Sequence, residues 1–303
     1  MTALSTSYAV ALVARVIGGM AAGMFWSLAA LYAVALVVPE KAGRAVAVVF
    51  TGQAIALVGG VPLGTIIGSA FGWRVSFALL GAIAVSLAVA VRYLLPSLAD
   101  QQAPPSVPMR SVIRIPGVAA IAATTTLLMF GHLALYTYIA PFLARAGLHQ
   151  SAVGPVLLVF GLAGAVGVGM AGLFSDRDLR RTVLCLLTLL AASQLALAVA
   201  GRGAGYATTA IAAWGIAFGG LPSLMQAAMM RVPPEARQLA GALLSTAFNL
   251  GIGLGALVGG WLFGLFGVGC LPWVSAALVA SSLVTALQAR HAGFPARSLQ
   301  PNT

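Results

Sequence analysis

Charge is the scarcest property of this sequence. Asp, Glu, Lys and Arg make up 7% of its 303 residues, against about 25% in soluble domains, while 61% are hydrophobic. A water-soluble globule is therefore excluded. Lys41 is the single lysine, and no Gly-x-x-x-x-Gly-Lys-Ser/Thr loop occurs, which argues against an ATP-driven pump. Only two cysteines are present, Cys185 and Cys270, far apart and in or beside apolar runs. They supply neither a disulfide framework nor a metal set, so no metal and no cofactor is expected. His-Glu-x-x-His and Gly-x-Ser-x-Gly are both missing, and with them the usual signs of a hydrolytic centre. The apolar runs lack the two-residue alternation of a barrel wall, which excludes a transmembrane β-barrel. No basic cluster precedes an apolar core in residues 1–8, so no secretory leader is legible.

What is present is a series of long apolar windows. Read against their breakers they predict an all-α integral membrane protein with nine spans, near 14–37, 45–68, 75–95, 117–141, 152–173, 182–200, 206–229, 239–264 and 268–288. The formal net charge is +11. That charge lies in the gaps between spans, as suits a lipid surface rather than nucleic acid. Alternate gaps hold Lys41, Arg44, Arg92, Arg110, Arg114, Arg177, Arg180, Arg181, Arg231, Arg237, Arg290 and Arg297 on one side, and only Arg74, Arg145 and Arg202 on the other. The positive-inside rule then puts the C-terminus in the cytoplasm and, with an odd span number, the N-terminus outside.

The gap around Pro104, Pro105 and Pro108 has the composition of a flexible linker. It divides the chain into a three-helix part, 1–95, a linker, 96–116, a six-helix bundle, 117–290, and a tail, 291–303. An offset of 195 positions lays Pro39-Glu40 on Pro234-Glu235, Ala45 on Ala240, Thr51 on Thr246, Gly60 on Gly255, Gly64 on Gly259 and Gly72 on Gly267 without a gap. If the two parts are parallel repeats, roughly 80 residues and three helices are expected ahead of the first span, giving twelve in all. A nine-helix protein with chance glycine matches is the alternative.

Four stretches resemble the major facilitator superfamily, in its twelve-helix drug:proton antiporter branch. Arg15-Val16-Ile17-Gly18-Gly19 is similar to that family's fourth-helix motif. Gly59-Gly60-Val61-Pro62-Leu63-Gly64, ending at Phe71-Gly72-Trp73-Arg74, resembles the fifth-helix antiporter motif of arabinose and sugar exporters and chloramphenicol-resistance pumps. Gly172-Leu173-Phe174-Ser175-Asp176-Arg177-Asp178-Leu179-Arg180-Arg181 resembles the cytoplasmic Gly-x-x-x-Asp-Arg loop, with Leu179 where a glycine is usual. Gly131-His132 to Pro141-Phe142 looks like the seventh helix of sugar-efflux members. The resemblance implies a two-bundle fold whose nine spans correspond to helices four to twelve. It also implies a multi-pass location in the cell inner membrane and a role in sugar efflux or drug resistance.

The residues can be weighed physically as well. Gly52, Gly60, Gly64 and Gly68 line one helix stripe, which admits close backbone approach, and Pro62 favours a bend. The stripe is read as a moving interface or as plain small-residue packing, with Gly251, Gly255 and Gly259 as instances of the latter. Gly64→Leu is expected to abolish export and Gly117→Leu to be tolerated. Arg15 either snorkels to the outer interface or, as the resemblance implies, points into the bundle as a coupling residue that meets a carboxylate on a preceding helix. All five acidic residues fall in loops. His132 is the titratable group deepest in a span, either a hydrogen-bonded helix histidine or a proton carrier. Trp26, Gln53, Thr125, His132, Tyr136, Tyr138, Trp214, Gln226 and Asn249 are the candidate pocket lining, with Thr124, Thr126 and Phe248 nearby. Gly172, Asp176, Arg177 and Arg181 read most simply as a solvated turn; the resemblance implies instead a cytoplasmic latch in which Asp176 caps a neighbouring helix and the arginines hold its partner loop.

These readings converge on a secondary transporter exporting a small organic solute by proton antiport with alternating access, not an enzyme. Its partners are then the solute, protons and the bilayer, with no nucleic acid, and a monomer is expected. An inert or structural membrane fragment, or uptake of a sugar or nucleoside, are the alternatives.

Overall fold

A computed structural model describes residues 55–94, 108–199, 203–290 and 292–294, with scattered positions between 7 and 52. Every regular element among them is helical. Lipid demands this, because each backbone N–H and C=O must find its partner within its own segment. Seven of the described helices are long and apolar enough to cross a membrane. The all-α membrane fold is thus found, while the span expected at 14–37 is described at only half of its positions, too scattered to give an element. The chain divides into two compact units, Met1–Pro104 and Pro105–Thr303.

In the first unit a π-helical turn, Ala56–Gly60, leads into α1, Val61–Phe71, with Pro62 in the opening turn. Proline brings no N–H to the ladder, so the wide turn falls where a regular one would be broken. Gly72 ends α1 at φ 86 and ψ 153, a conformation that favours glycine, and α2, Trp73–Leu94, follows directly. The Ser76 hydroxyl of α2 donates to the Gly64 carbonyl at 3.3 Å. A Cβ added at Gly52, Gly60 or Gly64 would meet no described atom within 4 Å. Gly267, 195 positions after Gly72, ends its own helix at φ 75 and ψ 171. The repeat offset therefore extends to backbone conformation, and each glycine follows a phenylalanine, Phe71 and Phe266.

The second unit opens with α3, Met109–Ile113, then α4, Val118–Tyr136, and α5, Ile139–Arg145. The sequence reads α4 and α5 as one span, 117–141. Pro141 separates them, because its ring clashes with the carbonyl four residues back, at Thr137, and the helix breaks at Thr137–Tyr138. Next come α6, Gln150–Ser175, and α7, Asp178–Val199, continuous except for extended backbone at Asp178 (φ −156, ψ 89). The unit is completed by α8, Ala204–Met229, α9, Arg237–Phe266, and α10, Leu271–Gln288.

Glycine sets how closely these helices cross. A Cβ at Gly251, Gly255 or Gly259 of α9 would run into α4 at Thr126, Phe130 or Ala134 respectively. On α8, Gly215 and Gly219 lie against the Phe160 and Gly164 carbonyls of α6. In hydrocarbon no hydrophobic drive pulls helices together, so this close approach and its van der Waals contact hold the bundle. Two buried serines of α10 add interhelical bonds: Ser275 Oγ donates to Gly131 O at 2.5 Å and Ser282 Oγ to Thr124 O at 2.8 Å. Each such bond contributes about 0.6 kcal/mol on average inside a bilayer.

After α10 the chain turns back, and Phe294 is fully buried. Gly117, at φ 93, faces the backbone of Ala292 and Gly293, with no room for a Cβ. The expectation that Gly117→Leu is tolerated is therefore corrected: the position is both left-handed and occupied by a neighbouring chain segment.

Candidate functional site

The titratable group deepest in a span, His132, sits one turn before the end of α4 and is 3% exposed. The Trp214 indole N–H, from α8, donates to His132 Nδ1 at 3.0 Å, and Trp214 itself is fully buried. With Nδ1 accepting, the neutral ring carries its proton on Nε2. Phe218, one turn beyond Trp214, stacks on the imidazole at 3.5 Å between centroids and 10° between planes. Tyr136, one turn beyond His132, stacks at 5.0 Å. Phe160 of α6 closes the group at 6.0 Å from His132 and 5.1 Å from Tyr136. Three helices thus contribute one aromatic cluster with a single polar pair at its heart. Tyr136, Phe160 and Phe218 are its half-buried members. Rings of this kind suit contact with the apolar face of a sugar ring or an aromatic solute, with the Tyr136 hydroxyl as a polar handle.

The structure brings His132, Tyr136 and Trp214 together and adds Phe160 and Phe218, which the sequence reading did not single out. The spacing His132-x-x-x-Tyr136 and Trp214-x-x-x-Phe218, four residues on one helix face, is the signal that finds Phe218. Phe160 carries none. The other candidates lie elsewhere. Tyr138, turned by the α4–α5 break, donates to Ala256 O of α9 at 2.7 Å. Thr125 Oγ1 donates to Ile121 O in its own helix at 2.8 Å, and Thr126 Oγ1 reaches Ala247 O of α9 at 3.3 Å. Gln226 is 12 residues past Trp214 on α8, about 18 Å along the axis. Asn249 is exposed and donates to Ser245 O at 2.8 Å. Trp26, Gln53 and Arg15 lie outside the described residues. Gln194 of α7 is fully buried, and neither end of its amide finds a partner among the described residues.

At the loop motif, Asp178 caps the start of α7. Its Oδ1 accepts the Arg181 N–H at 3.0 Å, three residues on, which satisfies one free donor of the first turn of α7. Its Oδ2 pairs with Arg181 Nε at 3.1 Å. Arg180 reaches the end of α10 and the turn beyond it: Nη1 donates to Phe294 O at 2.8 Å and Ala286 O at 3.3 Å, and Nη2 to Leu287 O at 3.2 Å. A guanidinium there supplies donors and positive charge where helix carbonyls are unpaired. Gly172 is exposed, and the side chains of Asp176 and Arg177 lie outside the described residues. Among the described residues no group of three His, Cys, Asp or Glu is placed to hold a metal ion.

Comparison with known proteins completes the picture. The family description of the Major Facilitator Superfamily matches residues 1–237. A probable sugar efflux transporter of Mannheimia succiniciproducens is 32% identical over 290 residues, covering 94% of this chain and 72% of the relative. A probable sugar efflux transporter of Helicobacter acinonychis is 29% identical over 279 residues, covering 92% of this chain and 71% of the relative. With seven apolar helices long enough to span a bilayer and a family match over more than three quarters of its length, the chain is an integral membrane protein of the major facilitator superfamily.

Proposed function

We propose that this chain is a secondary active transporter that exports a sugar-like small solute in exchange for protons, by alternating access about a site near the middle of the membrane. The observation that carries the reading is the pair of probable sugar efflux transporters, matched over more than nine tenths of this chain. The aromatic cluster around His132 supports it. A group of aromatic rings with one polar pair offers stacking for the C–H face of a sugar and a hydroxyl to orient it.

In this reading His132 is a binding and positioning group rather than the proton carrier. Placing a proton on Nδ1 requires breaking the Trp214 bond. In this reading the family likeness supports a location in the cell inner membrane, and the arginine distribution supports a cytoplasmic C-terminus. Efflux of labelled pentoses and hexoses from preloaded cells tests the function. The expected result is faster exit of at least one sugar on expression, abolished by a protonophore. Exit rates that expression leaves unchanged across the sugar panel would overturn it.

A further inference from the structure

The short helix α3 stands where the chain enters the first span of the second unit, with four residues between Ile113 and Val118. Its Val112 is fully buried, while Met109 and Ile113 on another face are 39% and 44% exposed. Arg110 and Arg114 are exposed beside them. The segment thus has one residue anchored in the bundle, two apolar side chains facing outward and two cations.

The packing of α4 on α9 says what else is at this level. Gly251, Gly255 and Gly259 face Thr126, Phe130 and Ala134, so the two helices run parallel with a constant difference of 125 positions. Residue 112 is then level with residue 237, and α3 does lie against α9. Arg231 and Arg237, both exposed, therefore share this end of the bundle, with Glu235 as the one acidic residue between them. No ion pair among the described residues engages Arg110, Arg114 or Arg231. Four arginines against one glutamate leave a local excess of three positive charges at the depth where a span meets the headgroups.

We propose that α3, with Arg231 and Arg237, is an interfacial seat for anionic phospholipid headgroups: Met109 and Ile113 dip into the acyl boundary while Arg110 and Arg114 hold lipid phosphates. Charge complementarity selects the occupant. A zwitterionic headgroup would leave the excess unbalanced, and a soluble anion would leave the two apolar side chains in water.

A fluorophore on Ile113→Cys, in the full chain with Cys185 and Cys270 replaced by alanine, tests this in bilayers of mixed phosphatidylglycerol and phosphatidylcholine. Either lipid carries the brominated, quenching chain in turn. An arginine near a charged surface favours anionic lipid by about fivefold, so two give roughly 25-fold preferential quenching by phosphatidylglycerol over phosphatidylcholine at equal mole fraction. In R110Q/R114Q the preference is expected to fall towards unity while quenching itself persists. Equal quenching by the two lipids in the parent chain would overturn the proposal. So would no quenching by either, which would mean that this face meets water or protein.

Discussion

Replacing Trp214 with phenylalanine keeps an aromatic ring in the cluster and removes the one donor that satisfies His132 Nδ1. The bond is 3.0 Å long, between a fully buried ring and one 3% exposed, so water cannot readily take over. An acceptor stranded in such a place costs about 1–3 kcal/mol in soluble proteins. Within bilayers the measured range is lower, about 0.6 kcal/mol on average and up to about 1.7. Both partners here are enclosed by protein, so we expect a loss of about 1–2 kcal/mol for Trp214→Phe, part of it from the smaller ring. A double-mutant cycle with His132→Leu separates the two contributions. With both polar partners gone nothing is left unsatisfied, and the double variant should be more stable than the sum of the single losses by about 1 kcal/mol. Unfolding in mixed micelles with increasing denaturing detergent reads all four proteins. Additive losses, within about 0.3 kcal/mol, would show that the pair is not coupled and would remove the basis for treating His132 as held by Trp214.

Three further outcomes follow from the packing. Gly259→Leu should prevent correct assembly of the bundle, because a Cβ there lies 2.8 Å from the Ala134 carbonyl, whereas Gly253→Leu, with nothing within 4 Å, should fold normally; size-exclusion profiles of the two variants compare them. Arg180→Ala should lower stability by about 2 kcal/mol through the loss of its bonds to the end of α10 and to Phe294, and Arg180→Lys should recover little of it, since an ammonium cannot span carbonyls that the planar fork reaches together; thermal unfolding of both checks this. His132→Gln should weaken sugar exchange and pH-driven accumulation together, as loss of a binding group does; loss of driven accumulation alone would make His132 the coupling site.

The spans were legible because apolar length is a property of contiguous residues. The window at 75–95 became Trp73–Leu94, and that at 268–288 became Val268–Gln288. Helix breaks were less so. Pro141 was visible in span 117–141, yet its consequence, a turn that aims Tyr138 at Ala256 instead of at the cluster, depends on where α9 lies. The gap between 173 and 182 looked like a loop, but the chain remains helical to Asp178, whose carboxylate restarts the helix at once. His132, Tyr136 and Trp214 were found as mid-span polar and aromatic groups. Phe160 was missed because a phenylalanine within an apolar run looks the same whether it faces lipid or a neighbouring ring. Arg180 lies 114 positions from Phe294, and no local pattern connects them.

The central claim is coupled transport, and simultaneous recording of sugar and proton movement in proteoliposomes of the purified chain tests it most directly. With a pH gradient imposed and no other energy source, sugar is expected to accumulate against its own gradient while protons move the opposite way, and both flows should stop when the gradient is collapsed. Sugar that only equilibrates, with no proton flow tied to it, would rule out proton-coupled export.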